Sequence, residues 1–157
     1  MFERKHIFVD ILPRIFWLIQ FGLLAISQWL SDHPIKLSEN VFIVILGITL
    51  TLVGAVLHAW SAKHLIRAIK TRELVQTGPY TYIRHPMYVF IYIILIGVGM
   101  LWFSSTWFII LLIFTPVWYW IGRKEEEQMI EITDGKYQDY IRRTGMFFPK
   151  LWRVINY

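Results

Sequence analysis

Apolar residues run in blocks too long for the helices of a soluble domain. Ile15 to Ser31, Val41 to Ala62 and Pro86 to Gly122 are stretches in which polar positions are sparse, and the last holds no Asp, Glu, Lys or Arg. As one helix at about 1.5 Å per residue that last stretch would extend roughly 55 Å, nearly twice a hydrocarbon core of about 30 Å, so it must fold back on itself. The turn is expected at Phe103-Ser-Ser-Thr106, where two serines can bond their own backbone in competition with a helix. The pattern predicts an all-α integral membrane bundle of about four transmembrane helices, near 15–31, 41–62, 86–103 and 106–122. With no repeat and no Gly/Ser-rich linker, residues 1–157 read as a single domain.

Composition agrees: 56% of residues are apolar and 17% aromatic, which is membrane-protein usage. Arg4, Lys5 and Arg14 give the first block a basic flank, but it ends in Ser27-Gln-Trp-Leu-Ser31 without a small-x-small cleavage site, so it is expected to be a retained helix. The absence of cysteine removes disulfides, thiolate metal sites and a cysteine nucleophile.

Charge supplies the orientation. Of the 16 Lys and Arg residues, all but Lys36 fall on the N-terminal arm, the segment between the second and third helices, or the tail that begins at Arg123. An even number of crossings puts these segments on one side, so both termini are expected in the cytoplasm. The net charge of +5 then needs no nucleic-acid partner, since it is the topology signal plus attraction to anionic lipid. The chemistry should lie in the cytoplasmic half, where the 61–88 loop and the 123–157 tail meet. Ser61 to Lys70 reads as a short interfacial helix, Thr77-Gly78-Pro79 as a turn, and Pro86 as the first turn of the third helix. Pro116 is expected to kink the fourth helix and open a lateral gap for lipid.

Glu125-Glu126-Glu127 follows a membrane helix and faces an anionic surface, where three carboxylates repel one another unless a cation is near. An i,i+4 pair from Arg123 to Glu127 is one answer, worth a few tenths of a kcal/mol. A bound cation is the other. His58 and His64 are wrongly spaced for one helix face, and no metal site is expected there; His6 and His33 read as ordinary interfacial residues.

Together these segments resemble the isoprenylcysteine carboxyl methyltransferase and phospholipid methyltransferase superfamily of integral-membrane enzymes that use S-adenosylmethionine. The residues that carry the resemblance are Gly78-Pro-Tyr80, Arg84-His-Pro-Met-Tyr88, Arg123 with Glu125-Glu-Glu127, Gly135-Lys-Tyr137-Gln-Asp-Tyr140 and Pro149, in the superfamily's order, over 72–151. The resemblance implies cofactor contacts at Leu74, Val75, Tyr80, His85, Pro86, Met87, Tyr88, Glu126 and Glu127. It implies catalytic roles for Arg123, Glu127 and His85, with Arg123 facing the substrate. Two departures stand out: Arg143-Thr-Gly-Met146 replaces Arg-x-Pro, and the spacing from the glutamates to Gly135 is one residue short, which leaves Glu126 and Glu127 both open as the key carboxylate. Gly97-Val-Gly99 matches the Gly-x-Gly of the phospholipid branch, although small residues in a membrane helix are first of all packing contacts.

The implied activity is methyl transfer from S-adenosylmethionine to a lipid-embedded or small hydrophobic acceptor. An isoprenylcysteine-like carboxylate comes first; a phospholipid or lipid amine and a thiol are the alternatives. An acidic cluster beside Tyr80 and Tyr88 suits a sulfonium and an ammonium. A carboxylate acceptor needs no base, whereas an amine would need one, which Glu126 or His85 can supply. The expected partners are the bilayer and the acceptor, with neither metal nor nucleic acid. A nicotinamide-dependent membrane reductase is opposed by the acidic cluster, and a non-catalytic assembly protein by the joint presence of Arg84, His85, Tyr88, Arg123 and the glutamates.

Overall fold

The computed structural model describes residues 12–30, 39–133 and 135–150. His6, His33, Lys36 and both termini lie outside the described residues. Among the described residues five helices follow one another: α1 (Leu12–Leu30), α2 (Val41–Thr71), α3 (Pro86–Leu101), α4 (Ser105–Ile132) and α5 (Lys136–Arg143), with a 3-10 turn at Gly78–Thr81 between α2 and α3. The architecture is all-helical, as the apolar pattern predicts. Among the described residues the β-type pairing is a single parallel bridge between Ile83 and Gly145. By length and composition α2 and α4 can each cross a membrane, while α3 is a shorter apolar helix.

Two boundaries differ from the sequence expectation, for the same reason. Asn40 caps α2, its Oδ1 accepting from the amides of Phe42 (3.0 Å) and Ile43 (3.4 Å). From there the helix runs without a break to Thr71, merging the span expected at 41–62 with the interfacial helix expected at 61–70. No Gly or Pro interrupts 55–71, and Ala62, Lys63, Leu65, Arg67, Ala68 and Lys70 are good helix formers, so the change from apolar to basic composition does not end the helix. Likewise α4 starts at the Ser104 cap, whose Oγ accepts from the Trp107 amide at 3.3 Å. It passes through Pro116 as one helix and continues beyond Gly122 through all three glutamates to Ile132. The hairpin turn lies at Trp102–Ser104, with Phe103 at φ 48°.

Helix α2 packs most extensively on α3, while α4 contacts both α1 and α3. The α2–α3 seam is closed by small residues. A Cβ on Gly97 would stand 2.5 Å from Thr51 Oγ1 and 2.7 Å from the Gly47 carbonyl, and one on Gly54 would stand 2.8 Å from Ile94. Gly97 and Gly99 are therefore packing glycines, the latter against the Trp107 ring. Between α1, α3 and α4 the core is Leu24, Leu95, Trp107 and Leu111, continued by Phe114, Trp118 and Ile121. Buried Gln20 accepts from Trp118 Nε1 at 2.6 Å, and Trp107 Nε1 donates to the Leu95 carbonyl at 2.7 Å, so both indoles have partners away from water. The outer faces remain apolar: Leu18 is 74% exposed, Phe42 84% and Leu112 73%, a surface whose solvent is hydrocarbon.

Gly97→Ala should accordingly push α2 and α3 apart, an overpacking cost of about 1–3 kcal/mol. Gly22, whose Cβ would meet nothing within 4 Å, is the control. Thermal unfolding in detergent should show a clear loss of stability for Gly97→Ala and none for Gly22→Ala.

Candidate active site

The loop after α2 is held against the segment after α5. His64 Nδ1 lies 2.8 Å from Thr77 Oγ1, tying the loop back to α2. Gly78 then takes φ +62°, a conformation that a side chain resists, and the His64 ring fills the space that a Cβ would need. Across the gap the Arg84 and His85 amides donate to the carbonyls of Gly145 (2.9 Å) and Met146 (3.1 Å), while Gly145 N donates to the Tyr82 carbonyl at 3.3 Å. Tyr140 Oη donates to the Tyr80 carbonyl at 2.6 Å. Two segments far apart in sequence are thereby zipped together by their backbones.

Arg84 fastens this zipper to α4. Its Nε donates to Glu126 Oε1 at 2.6 Å and its Nη2 to Glu126 Oε2 at 3.2 Å, a bidentate pair whose side chains are 6% and 3% exposed. The third nitrogen, Nη1, donates to the carbonyls of Ile141 and Thr144 at the end of α5. Beside it, His85 Nε2 stands 3.2 Å from Glu126 Oε1 and Nδ1 stands 3.4 Å from Glu125 Oε2. With a carboxylate at each ring nitrogen, an imidazolium with two N–H groups fits where a neutral ring would set a lone pair against an anion. Burial works to lower the His85 pKa, but the hydrogen bonds and charges of Glu125 and Glu126 outweigh it and hold it above the ordinary value. Tyr88 Oη donates to Glu125 Oε1 at 2.6 Å, and the Tyr88 ring stacks on His85 with centroids 5.5 Å apart.

In front of this wall is a cavity of about 1210 Å³. Leu74, Val75, Tyr80, Arg84, His85, Met87 and Tyr88 come to it from the loop and the start of α3. Glu125, Gln128, Met129, Glu131 and Ile132 come from α4, and Tyr137 and Tyr140 from α5. Pro13, Arg14, Trp17 and Phe21 of α1, His58 and Leu65 of α2, and Ile91 of α3 complete it. Burial raises the pKa of Tyr80, with Glu125 adding to it, so the phenol stays a neutral donor beside the carboxylate. The loop, α4 and α5 thus bring an anion and several aromatic faces to the lining, and α1, α2 and Ile91 bring a mostly apolar set.

Residues 42–134 match the phospholipid methyltransferase family. The chain belongs to that family. It is similar to the nickel-cobalt-cadmium resistance protein NccN of Alcaligenes xylosoxydans xylosoxydans, at 36% identity over 125 residues that cover 80% of this chain and 56% of that protein. It is also similar to the cobalt-zinc-cadmium resistance protein CzcN of Cupriavidus metallidurans, at 31% identity over 106 residues, 68% of this chain and 47% of that one. The chain spans about half the length of these curated relatives. No solved structure matches it.

Of the site residues expected for a phospholipid methyltransferase relative, the structure brings Leu74, Val75, Tyr80, His85, Met87 and Tyr88 to the cavity. Pro86 is buried at the first position of α3. Glu126 lies behind the wall, with both oxygens engaged by Arg84 and His85. Arg123 and Glu127 are exposed, and Glu127 pairs with Lys124 at 2.6 Å, where an Arg123 pair was one expectation. Of the three consecutive glutamates the one on the cavity is Glu125, and the sequence pattern alone assigns no separate role to it or to Arg84, Tyr137 and Tyr140. A signal for them existed. The buried stripe of α4 runs through Phe114, Trp118, Ile121 and Gly122, and its next helical turn falls on Glu125 and Glu126, not on Arg123 or Glu127.

A raised folded-state pKa means that His85 adds stability below the unfolded value of about 6.5, and that this stability is lost as pH rises through the folded value. Imidazole resonances in detergent should show His85 titrating above that value, and Glu125→Gln should lower its midpoint. A midpoint at or below the unfolded value in the parent protein would contradict the two-carboxylate geometry.

Proposed function

We propose that this family member transfers a methyl group from S-adenosylmethionine to a lipid-embedded or small hydrophobic acceptor. The observation that carries the reading is Glu125, a carboxylate oriented by Tyr88 on the wall of a cavity that Tyr80, Tyr137 and Tyr140 also line. The donor set fits the cofactor: a carboxylate and aromatic faces suit a sulfonium and an ammonium and disfavour a nucleotide phosphate. When bound, S-adenosylmethionine supplies an electrophilic methyl group whose transfer extinguishes the sulfonium charge.

The chain's own residues supply position and field. Glu125 attracts the cationic centre, and its hydrogen bond from Tyr88 fixes the direction of its lone pairs. Arg84 and Glu126 hold the loop at its distance from α4. Trp17, Phe21, Leu65 and Ile91 offer the acceptor's hydrocarbon a place in the same cavity. Lipid amine and carboxylate acceptors both fit this apolar side, and on topology the reading keeps the cavity in the cytoplasmic half of the membrane. A part in metal resistance, carried over from the names of the two relatives, would then run through a methylated acceptor. Among the described residues no group of three or more His, Cys, Asp or Glu is placed to hold a metal ion.

Calorimetry on purified protein should show binding of S-adenosylhomocysteine and none of NADPH. Glu125→Gln should weaken that binding by about tenfold or more, the loss of a charge-assisted contact, while Glu127→Gln at the exposed Lys124 pair should leave it unchanged. Binding of NADPH in preference, or a Glu127→Gln effect as large as that of Glu125→Gln, would overturn the reading.

A further inference from the structure

One polar side chain on the apolar side of the cavity is unexplained by the methyl-donor half. His58 of α2 lines the cavity, and its Nδ1 is buried from water with no hydrogen-bond partner among the described residues. A buried nitrogen left in that state has lost water without gaining a partner, so such atoms point to a partner that arrives from outside. The contrast on the same helix is His64, which has Thr77 at 2.8 Å.

The level of His58 says what that partner is. It precedes Lys63, the first basic residue of α2, by about 7 Å along the helix axis, which puts it where hydrocarbon gives way to head groups. Arg14 lines the same cavity from the first turn of α1, and a guanidinium there suits a phosphate. Trp17, Phe21 and Ile91 suit an acyl chain. Resting on the methyltransferase reading, we propose that His58 is the acceptor-binding residue, and that its imidazole takes the hydrogen bond and then the proton of an amine-headed phospholipid.

The chemistry requires such a group. A lipid amine at neutral pH is an ammonium with no lone pair to attack with. As the head's N–H bond breaks, an N–H bond forms on the imidazole, the positive charge moves to the ring, and the electron pair stays on the head-group nitrogen. A terminal sp3–sp2 torsion is broad and two-fold, so either ring nitrogen can be presented to the cavity without leaving the helix face. His85, the base that the sequence suggests, is already held between Glu125 and Glu126. Glu126 is likewise held by Arg84.

The test needs no turnover. Full-length protein in detergent, its histidines labelled with 15N, is titrated with short-chain phosphatidylethanolamine and with short-chain phosphatidylcholine, whose head has the same charge but no N–H. The parent protein should bind the ethanolamine head about tenfold tighter or more, and that head alone should shift the His58 resonances, assigned by their loss in His58→Phe. His58→Phe should bind both lipids alike, and His58→Gln should regain part of the preference. No preference in the parent, a resonance that neither lipid moves, or a preference that survives His58→Phe would each overturn the proposal. The first is read on the parent protein and stands even if a variant fails to fold. S-adenosylhomocysteine binding is measured alongside. Its absence with the head-group preference intact would sink the methyltransfer reading and leave the lipid site, whereas its presence without a preference would sink the role of His58 alone.

Discussion

The Arg84–Glu126 pair is the constraint on which the site depends. Both side chains are nearly sealed from water, so each charge has lost its hydration and is stable only against the other. Such a pair adds little net stability compared with well-packed apolar residues, yet removing one partner strands the other charge, at a cost of about 3–5 kcal/mol. Its effect is specification. The guanidinium has one place where both carboxylate oxygens and the Ile141 and Thr144 carbonyls can be reached at once, and that place sets the loop, α4 and the end of α5 relative to one another.

Everything on the cavity wall follows from that placement. With Glu126 neutralised, Glu125 is the member of the glutamate run that the cavity meets, oriented by Tyr88 and backed by His85. The C-terminal segment packs close because Gly122 has no side chain: a Cβ there would meet Met146 at 2.7 Å. Phe147 covers the His85 ring, with centroids 5.6 Å apart. The stretch Arg143-Thr-Gly-Met146, a departure from the superfamily's pattern, is the one that receives the zipper: Thr144 and Gly145 offer carbonyls to Arg84, and Met146 to His85. A proline is not needed there for the backbone to lie against the loop.

The apolar blocks made the all-helical architecture legible, because burial in hydrocarbon leaves a compositional mark along a helix. The extensions of α2 to Thr71 and of α4 to Ile132 were not legible, since good helix formers carry a helix past the membrane edge whatever their charge. The motif loop could be located but its division of labour could not. Glu125, Glu126 and Glu127 are adjacent letters that point about 100° apart on a helix, and which one faces the cavity depends on Arg84, a residue 42 positions away. His58 is the converse case. Its meaning lies in a partner that the protein does not contain, so neither spacing nor composition could assign it.

The central claim is that one buried ion pair assembles the loop, α4 and α5 into a single cofactor site. Hydrogen exchange on Glu126→Gln tests it most directly, followed amide by amide together with S-adenosylhomocysteine binding. The account predicts that the amides of Arg84, His85 and Gly145 lose protection together, that α2 and α3 remain protected, and that binding is lost. If those amides stay protected, or if binding persists while they open, the pair is not what builds the site.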